Sequence, residues 1–239
     1  LKIVRQDPEY KKAFKEVFGK SGKEITMREV TLAIAAFERT VISGDSPFDR
    51  YYYGGEEDAL TEQQKRGLDL FLNEGRCVSC HVIEQTQAIF TDNRFHNIGV
   101  GVNNIQDDIP ELAGEFLAAD MTLSEVDVEV LTDPRTSELG RFAISHGFDD
   151  IGSFKTPTLR NVAVTAPYMH DGSIETLEDV MVHYLNGGVT EAGDPVNDFL
   201  SGGIRPLNIE IEQIEDLVAF MEALTSPEFE PKAEEAEGQ

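Results

Sequence analysis

Cys77-Val78-Ser79-Cys80-His81 sets two thiols three residues apart with an imidazole directly after the second. They are the only two cysteines among 239 residues, so a structural zinc site would lack its remaining thiolates. A thioredoxin-like redox pair would need a βαβ setting, which the surrounding pattern does not supply. A disulfide across so short a loop would stabilise little. The spacing is that of c-type haem attachment. Two thiols add across the two vinyl groups on one edge of the porphyrin, and the neighbouring imidazole swings under the ring to bind iron. The expectation is one haem c on Cys77 and Cys80, with His81 as an axial ligand. Such attachment takes place outside the cytoplasm, so the protein is expected to be periplasmic or otherwise exported.

Spacing does not choose the second axial ligand, which comes from a distant part of the fold. The remaining histidines are His96, His146, His170 and His183, and the methionines are Met27, Met121, Met169, Met181 and Met221. Met169 stands out within Pro167-Tyr168-Met169-His170-Asp171-Gly172. Tyr184 shares a helical face with Leu177, Val180 and Met181, and by itself reads as a core tyrosine with its hydroxyl hydrogen-bonded.

The elements that must position these groups read as helices, and the class is all-α. Asp7-Pro8 caps and opens a helix that runs to Gly19. Thr26 and Glu29 form a capping-box pattern. Behind them Met27, Val30, Ile34, Phe37 and Val41 recur at helical spacing, which predicts a buried face. Ser46-Pro47 to Gly55 reads as a loop with three tyrosines. Thr61 and Gln64 cap a helix with Leu68, Phe71 and Leu72 inward, leading to the thiols. From Gly99 to about Gly152 the sequence is acidic and irregular, read as loop or insertion with short helices. An ordered loop spans Thr156 to Gly172, and Thr176 caps the helix that carries Tyr184. A last helix is expected from about Asn208 to Leu224, with Ile214, Leu217, Val218 and Met221 inward. No convincing sheet is visible.

A chain of this length, about 40% hydrophobic, buries a sizeable core. No apolar run is long enough to span a bilayer. The net charge of −25 disfavours nucleic acid and anionic lipid and favours basic or neutral partners. Part of that charge lies at the C-terminus, where residues 227–239 read as an acidic, disordered tail. The chain opens at Leu1 without an initiator methionine, as expected of a mature product or a piece of something longer.

Several stretches together resemble the bacterial dihaem cytochrome c peroxidase and MauG family. They are Ala33-Ile34-Ala35-Ala36-Phe37-Glu38-Arg39-Thr40, Ser46-Pro47-Phe48-Asp49-Arg50-Tyr51 and Lys65-Arg66-Gly67-Leu68-Asp69-Leu70-Phe71. After the haem motif come Phe95-His96-Asn97-Ile98-Gly99-Val100, Phe154-Lys155-Thr156-Pro157-Thr158-Leu159-Arg160-Asn161-Val162 and Thr165-Ala166-Pro167-Tyr168-Met169-His170-Asp171-Gly172. Order and spacing match over most of the chain except residues 103–135. The resemblance implies a cytochrome c-like helical haem domain with long connecting loops over residues 56–226. Residues 1–55 would be a helical segment matching the family's interdomain and distal-pocket region. It implies Tyr184 as second axial ligand, where MauG-like enzymes place tyrosine and peroxidases methionine, with Met169 or Met181 as fallbacks. It also implies calcium bound through the backbone carbonyls of Thr165 and Pro167. Glu38 would be the acid–base group that moves protons during peroxide cleavage at the other haem.

The family carries two haem motifs and a tryptophan between the haems, whereas this sequence has one motif and no tryptophan. What is present corresponds to the C-terminal electron-transfer haem. The expected function is the electron-relaying half of a peroxide-dependent dihaem oxidoreductase. The second haem would sit in a missing N-terminal half or a second haem-bearing chain. The redox partner would be a small cytochrome, a cupredoxin or a protein substrate. The alternatives are a one-haem periplasmic electron-transfer cytochrome or subunit without peroxidase activity, and a structural subunit with a vestigial haem.

Overall fold

The computed structural model describes residues 1–119, 121–189 and 196–230, in two compact units, Leu1–Gly44 and Asp45–Gln239. The first unit holds α1 (Lys2–Gln6), α2 (Pro8–Phe18) and α3 (Met27–Glu38). Asp7 caps α2 by accepting from the Glu9 and Tyr10 N–H groups, and Gly19 ends it at a φ of 71°, a left-handed geometry that glycine adopts without steric cost. The Thr26–Glu29 capping box forms as expected. The predicted burial of the α3 face does not. Met27, Ile34, Phe37 and Val41 are all exposed, Phe37 at 68%. The helix instead turns Glu29 inward, where its carboxylate takes hydrogen bonds from Lys20 and Thr26, while Phe14 and Ile25 form the small core.

The second unit begins with α4 (Pro47–Tyr52) in the segment expected as a loop. Ser46 and Asp49 make a capping box around it, and Pro47 occupies the first turn. Six residues rich in aromatics are too few to display a period, which is why the sequence pattern missed it. There follow α5 (Glu62–Leu72), β1 (Phe95–His96), α6 (Ile109–Ala118), α7 (Leu123–Thr132), α8 (Pro134–Ser137), α9 (Phe142–Ser145), β2 (Phe154–Lys155), α10 (Leu177–Leu185) and α11 (Ile214–Glu222). The fold is mostly helical, as expected. β1 and β2 add a two-residue antiparallel pair, Phe95 opposite Lys155 and His96 opposite Phe154, too short to read from sequence. The last helix starts at Ile214 rather than Asn208, after a 3-10 turn at Ile211–Gln213 whose Gln213 side chain accepts from the Glu210 N–H. Pro227–Phe229 form another 3-10 turn; the rest of the expected tail from 231 onward lies outside the described residues. Among the described residues no helix is long and apolar enough to cross a membrane.

The acidic stretch between Gly99 and Gly152 is more ordered than its sequence pattern. α6 to α9 close around a core of their own, in which Val102, Phe116, Leu139, Phe142 and Ile151 are almost fully buried. Its periodicity is masked because Val126, Val128 and Val130 alternate with acidic residues in α7, and of that helix only Val126 is fully inside. The larger core joins α4, α5, α10 and α11 through Phe48, Phe71, Leu177, Leu217 and Phe220.

α5 and α11 cross at Gly67. A Cβ there would lie 1.9 Å from the Asp216 carbonyl oxygen and 2.7 Å from the Phe220 Cβ. Beside it, Arg66 donates twice to the Asp216 carboxylate at 2.8 Å. Gly67→Ala is expected to destabilise the protein by about 3 kcal/mol through overpacking. Arg66→Ala, which removes an ion pair whose arginine is well exposed, should cost less than about 1 kcal/mol. Urea unfolding of both variants checks the pair, and equal losses would contradict the crossing.

Candidate haem site

α5 delivers the chain into the motif through Asn73–Gly75 and Arg76, whose φ of 56° turns the backbone sharply. Arg76 holds that turn by donating to the carbonyls of Arg205 and Pro206 at 2.8 and 3.2 Å. Cys77–Ser79 then form one 3-10 turn, and the His81 N–H donates to the Cys77 carbonyl at 2.8 Å. Both cysteines are free. Burial pushes the Cys77 thiol up to about 12 and raises Cys80 as well.

His81 is oriented from behind. Its Nδ1–H donates to the Phe90 carbonyl at 2.8 Å. Burial lowers the imidazole pKa, and the Phe90 carbonyl, the Asp92 charge and the Pro157 carbonyl only partly offset this. A neutral ring with its hydrogen on Nδ1 leaves Nε2 with a free lone pair, the state a metal ligand needs.

Cys77, Cys80 and His81 open on a cavity of about 400 Å³ whose wall also includes Tyr184, Met169 and Met181. Apolar side chains from α5, α10 and α11 supply much of the rest, among them Phe71, Leu177 and Leu217. Two thiols, one imidazole and a mostly apolar wall fit a c-type haem. The cavity also sorts the candidate second ligands. Met169, Met181, Met221, His96, His170 and Tyr184 line it, while Met27, Met121, His146 and His183 are not part of its wall. His183 turns elsewhere, donating from Nε2 to the Ile98 carbonyl at 2.8 Å. Tyr184 differs from the simple core reading, because no described residue hydrogen-bonds its hydroxyl. Burial, then the neighbouring Cys77 and Cys80, push its phenol pKa well up.

Thr165 and Pro167 also line the cavity. Glu38 is the exposed last residue of α3, in the other compact unit.

The sequence pattern missed a polar cluster beside Cys80. His96 donates from Nε2 to Asp92 at 2.8 Å, while the Thr156 hydroxyl and the Arg94 N–H donate to the other carboxylate oxygen at 2.8 and 2.9 Å. Burial pushes the Asp92 pKa up, but these bonds outweigh it and bring it down from 3.8 to about 2. The Asp-x-x-x-His spacing was the available signal, hidden because Asp92 lies in irregular chain and His96 in a two-residue strand rather than together on a helix. A depressed carboxylate contributes stability that is present above its unfolded value and lost as pH falls through its folded value. Asp92→Asn should therefore be less stable than the parent at neutral pH. Its stability should also fall less steeply between pH 3.8 and about 2, as denaturant melts across that window would show.

The family model for di-haem cytochrome c peroxidase matches residues 1–58. The chain is 34% identical over 231 residues to cytochrome-c peroxidase IdrP1 of Denitromonas iodatirespirans, covering 94% of this chain and 56% of that protein. It is 35% identical over 217 residues to methylamine utilization protein MauG of Methylorubrum extorquens, covering 91% of this chain and 49% of that one. A crystal structure of a MauG-like protein associated with microbial copper homeostasis superposes with a TM-score of 0.61 at 31% identity, over 94% of this chain and 60% of the other. The chain thus spans about half the length of the curated relatives it matches. These relationships lead to one conclusion: the chain belongs to the dihaem cytochrome c peroxidase and MauG family.

Proposed function

We propose that this chain is the electron-relaying, haem c-bearing portion of a peroxide-dependent dihaem oxidoreductase. The observation that carries the reading is the convergence of Cys77, Cys80, His81 and Tyr184 on one cavity. When bound, haem supplies a one-electron iron couple there. Cys77 and Cys80 would hold the porphyrin covalently, His81 would offer its Nε2 lone pair to the iron, and Tyr184 would offer its phenol oxygen after giving up its proton. Burial favours the neutral phenol, so ligation by Tyr184 couples to proton release. An anionic oxygen ligand favours the ferric state, whereas a thioether raises the potential. Met169 and Met181 remain the thioether alternatives on the same wall. The carbonyls of Thr165 and Pro167 would hold Ca²⁺ at the cavity edge, and Glu38 would serve as acid–base group toward a second, peroxide-reactive haem.

That second haem would belong to a further part of the protein or to a partner chain. The redox partner would be a small cytochrome, a cupredoxin or a protein substrate, and the net charge of −25 favours a basic docking face on it. The site of action would be the periplasm. A second reading, a one-haem electron-transfer cytochrome or subunit, draws on the single haem motif in this sequence.

The denatured mass of the native protein discriminates, because covalent haem survives denaturation. Two haems on a heavier chain and a peroxide-dependent spectral change support the dihaem reading. One haem and a spectrum indifferent to peroxide would leave the electron-transfer reading. In the intact protein, Tyr184→Met is expected to raise the midpoint potential of this haem, and an unchanged potential would remove Tyr184 as its ligand.

A further inference from the structure

Phe90, whose carbonyl receives the His81 Nδ1–H, has an unusual backbone. Its φ is +52° although it is a bulky, fully buried residue, and a large side chain adopts this region only when its surroundings enforce it. The surroundings are specific. Arg160 donates from Nε to the Ala88 carbonyl at 2.8 Å, two residues before Phe90. Its two terminal nitrogens grip the Asp49 carboxylate, Nη2 to Oδ1 at 2.8 Å, and its guanidinium lies 5.4 Å from the centre of the Phe90 ring. On the far side, the Thr91 hydroxyl donates to the Thr156 carbonyl at 2.7 Å. Residues 156 and 160 therefore pin the chain immediately before and after Phe90. The ring is wedged between Phe48 and Phe71, at centroid distances of 5.2 and 6.1 Å.

Asp49 is anchored in turn by the Ser46 N–H and hydroxyl at 3.0 and 2.9 Å. Burial pushes its pKa up, but the bonds to Arg160 and Ser46 outweigh this and hold it below the ordinary value. Arg160 and Asp49 are both largely buried, with 11% and 15% of their side chains exposed. A lone ion pair of this kind is weak evidence for stability, since desolvation opposes the attraction. Its geometry here does something else: the Arg160 Nε holds the Ala88 carbonyl, while its terminal nitrogens hold the Asp49 carboxylate and Nη1 also reaches the Ser46 hydroxyl at 3.5 Å.

We propose that Arg160, clamped by Asp49, is a positioning residue for the haem iron, acting by aiming the Phe90 carbonyl at His81 Nδ1. A carbonyl fixed on that hydrogen makes the imidazole a stronger donor at Nε2. The oxidised iron gains more from this than the reduced iron, so the clamp lowers the reduction potential. Loosening it lets Phe90 relax toward negative φ, swings its carbonyl away and weakens the donor. The inference rests on the reading of His81 as an iron ligand.

The test uses the intact haem-loaded protein with Arg160→Lys, which keeps the charge but cannot hold Ala88 and both Asp49 oxygens at once. The expected result is a raised midpoint potential with altered g-values in the ferric EPR spectrum, in excess of any change from lowered stability. Phe116→Ala, in the separate core of α6 to α9, is the control: it lowers the melting temperature and leaves both readings where they are. Should Arg160→Lys yield no folded haem protein, Asp49→Asn, which weakens only the anchor, is read in the same way. Potentials and g-values equal to the parent, with a lower melting temperature, would make the clamp structural and overturn the proposal. His81→Gly separates the two levels. If it leaves the potential unchanged, the ligand reading fails and the clamp with it; if it shifts the potential while Arg160→Lys does not, only the clamp fails.

Discussion

The cavity of this protein depends on two helices meeting where neither has a side chain to spare. At Gly67 the backbone of α11 comes so close to α5 that a single methyl group would collide with a carbonyl oxygen. The crossing sets the direction of both elements. α5 ends at Leu72 and leads into the Cys77–His81 motif, while α11 presents Leu217 and Met221 to the cavity. Phe71 and Phe220 pack at 5.1 Å just beyond the contact and keep it dry. Separating the two helices would widen the cavity and also shift the turn that spaces the two thiols. A glycine with an ordinary φ, placed mid-helix at a cost in helical propensity, is retained here because packing outweighs that cost.

What could be read in advance was whatever depends on local chemistry. The thiol–thiol–imidazole spacing declared itself, because it needs no knowledge of the remainder of the chain. Asp7, Thr26, Thr61 and Thr176 marked helix starts correctly, since a cap is satisfied by backbone within three residues. Long-range features were less legible. Tyr184 taken alone reads as a core tyrosine, and only the family resemblance singled it out; α10 places it on the wall of the cavity that both thiols line. Arg160 and Asp49 are 111 residues apart in sequence, and nothing in the neighbourhood of either reveals the other. The apolar stripe on α3 was correctly recognised as helical but wrongly placed inside, because period reports the face of a helix and not what covers it.

The polar groups around the cavity share one arrangement. Each sits on irregular chain and is tied by its side chain to a distant segment: Arg76 to 205–206, Thr156 to Asp92, and Arg160 to the Ala88 carbonyl and to Asp49 in α4. A c-type cofactor is held by covalent bonds, so the protein need not enclose it with regular structure. It needs its loops fixed, and it fixes them by such cross-ties. That explains how a site with so much non-repetitive backbone can still orient an imidazole to hydrogen-bonding precision.

The second core, built by α6 to α9, has a consequence for how the molecule breathes. Its buried side chains close on one another as a cluster separate from the one that walls the cavity. Cooperative opening follows contiguous cores, so a molecule with two of them has two opening free energies rather than one. Amide hydrogens in α6 and α7 would then exchange with solvent on their own timescale, while those of α5 and α11 wait for global unfolding. A destabilising change inside the α6 to α9 core would raise exchange in that lobe before it reached α5 and α11.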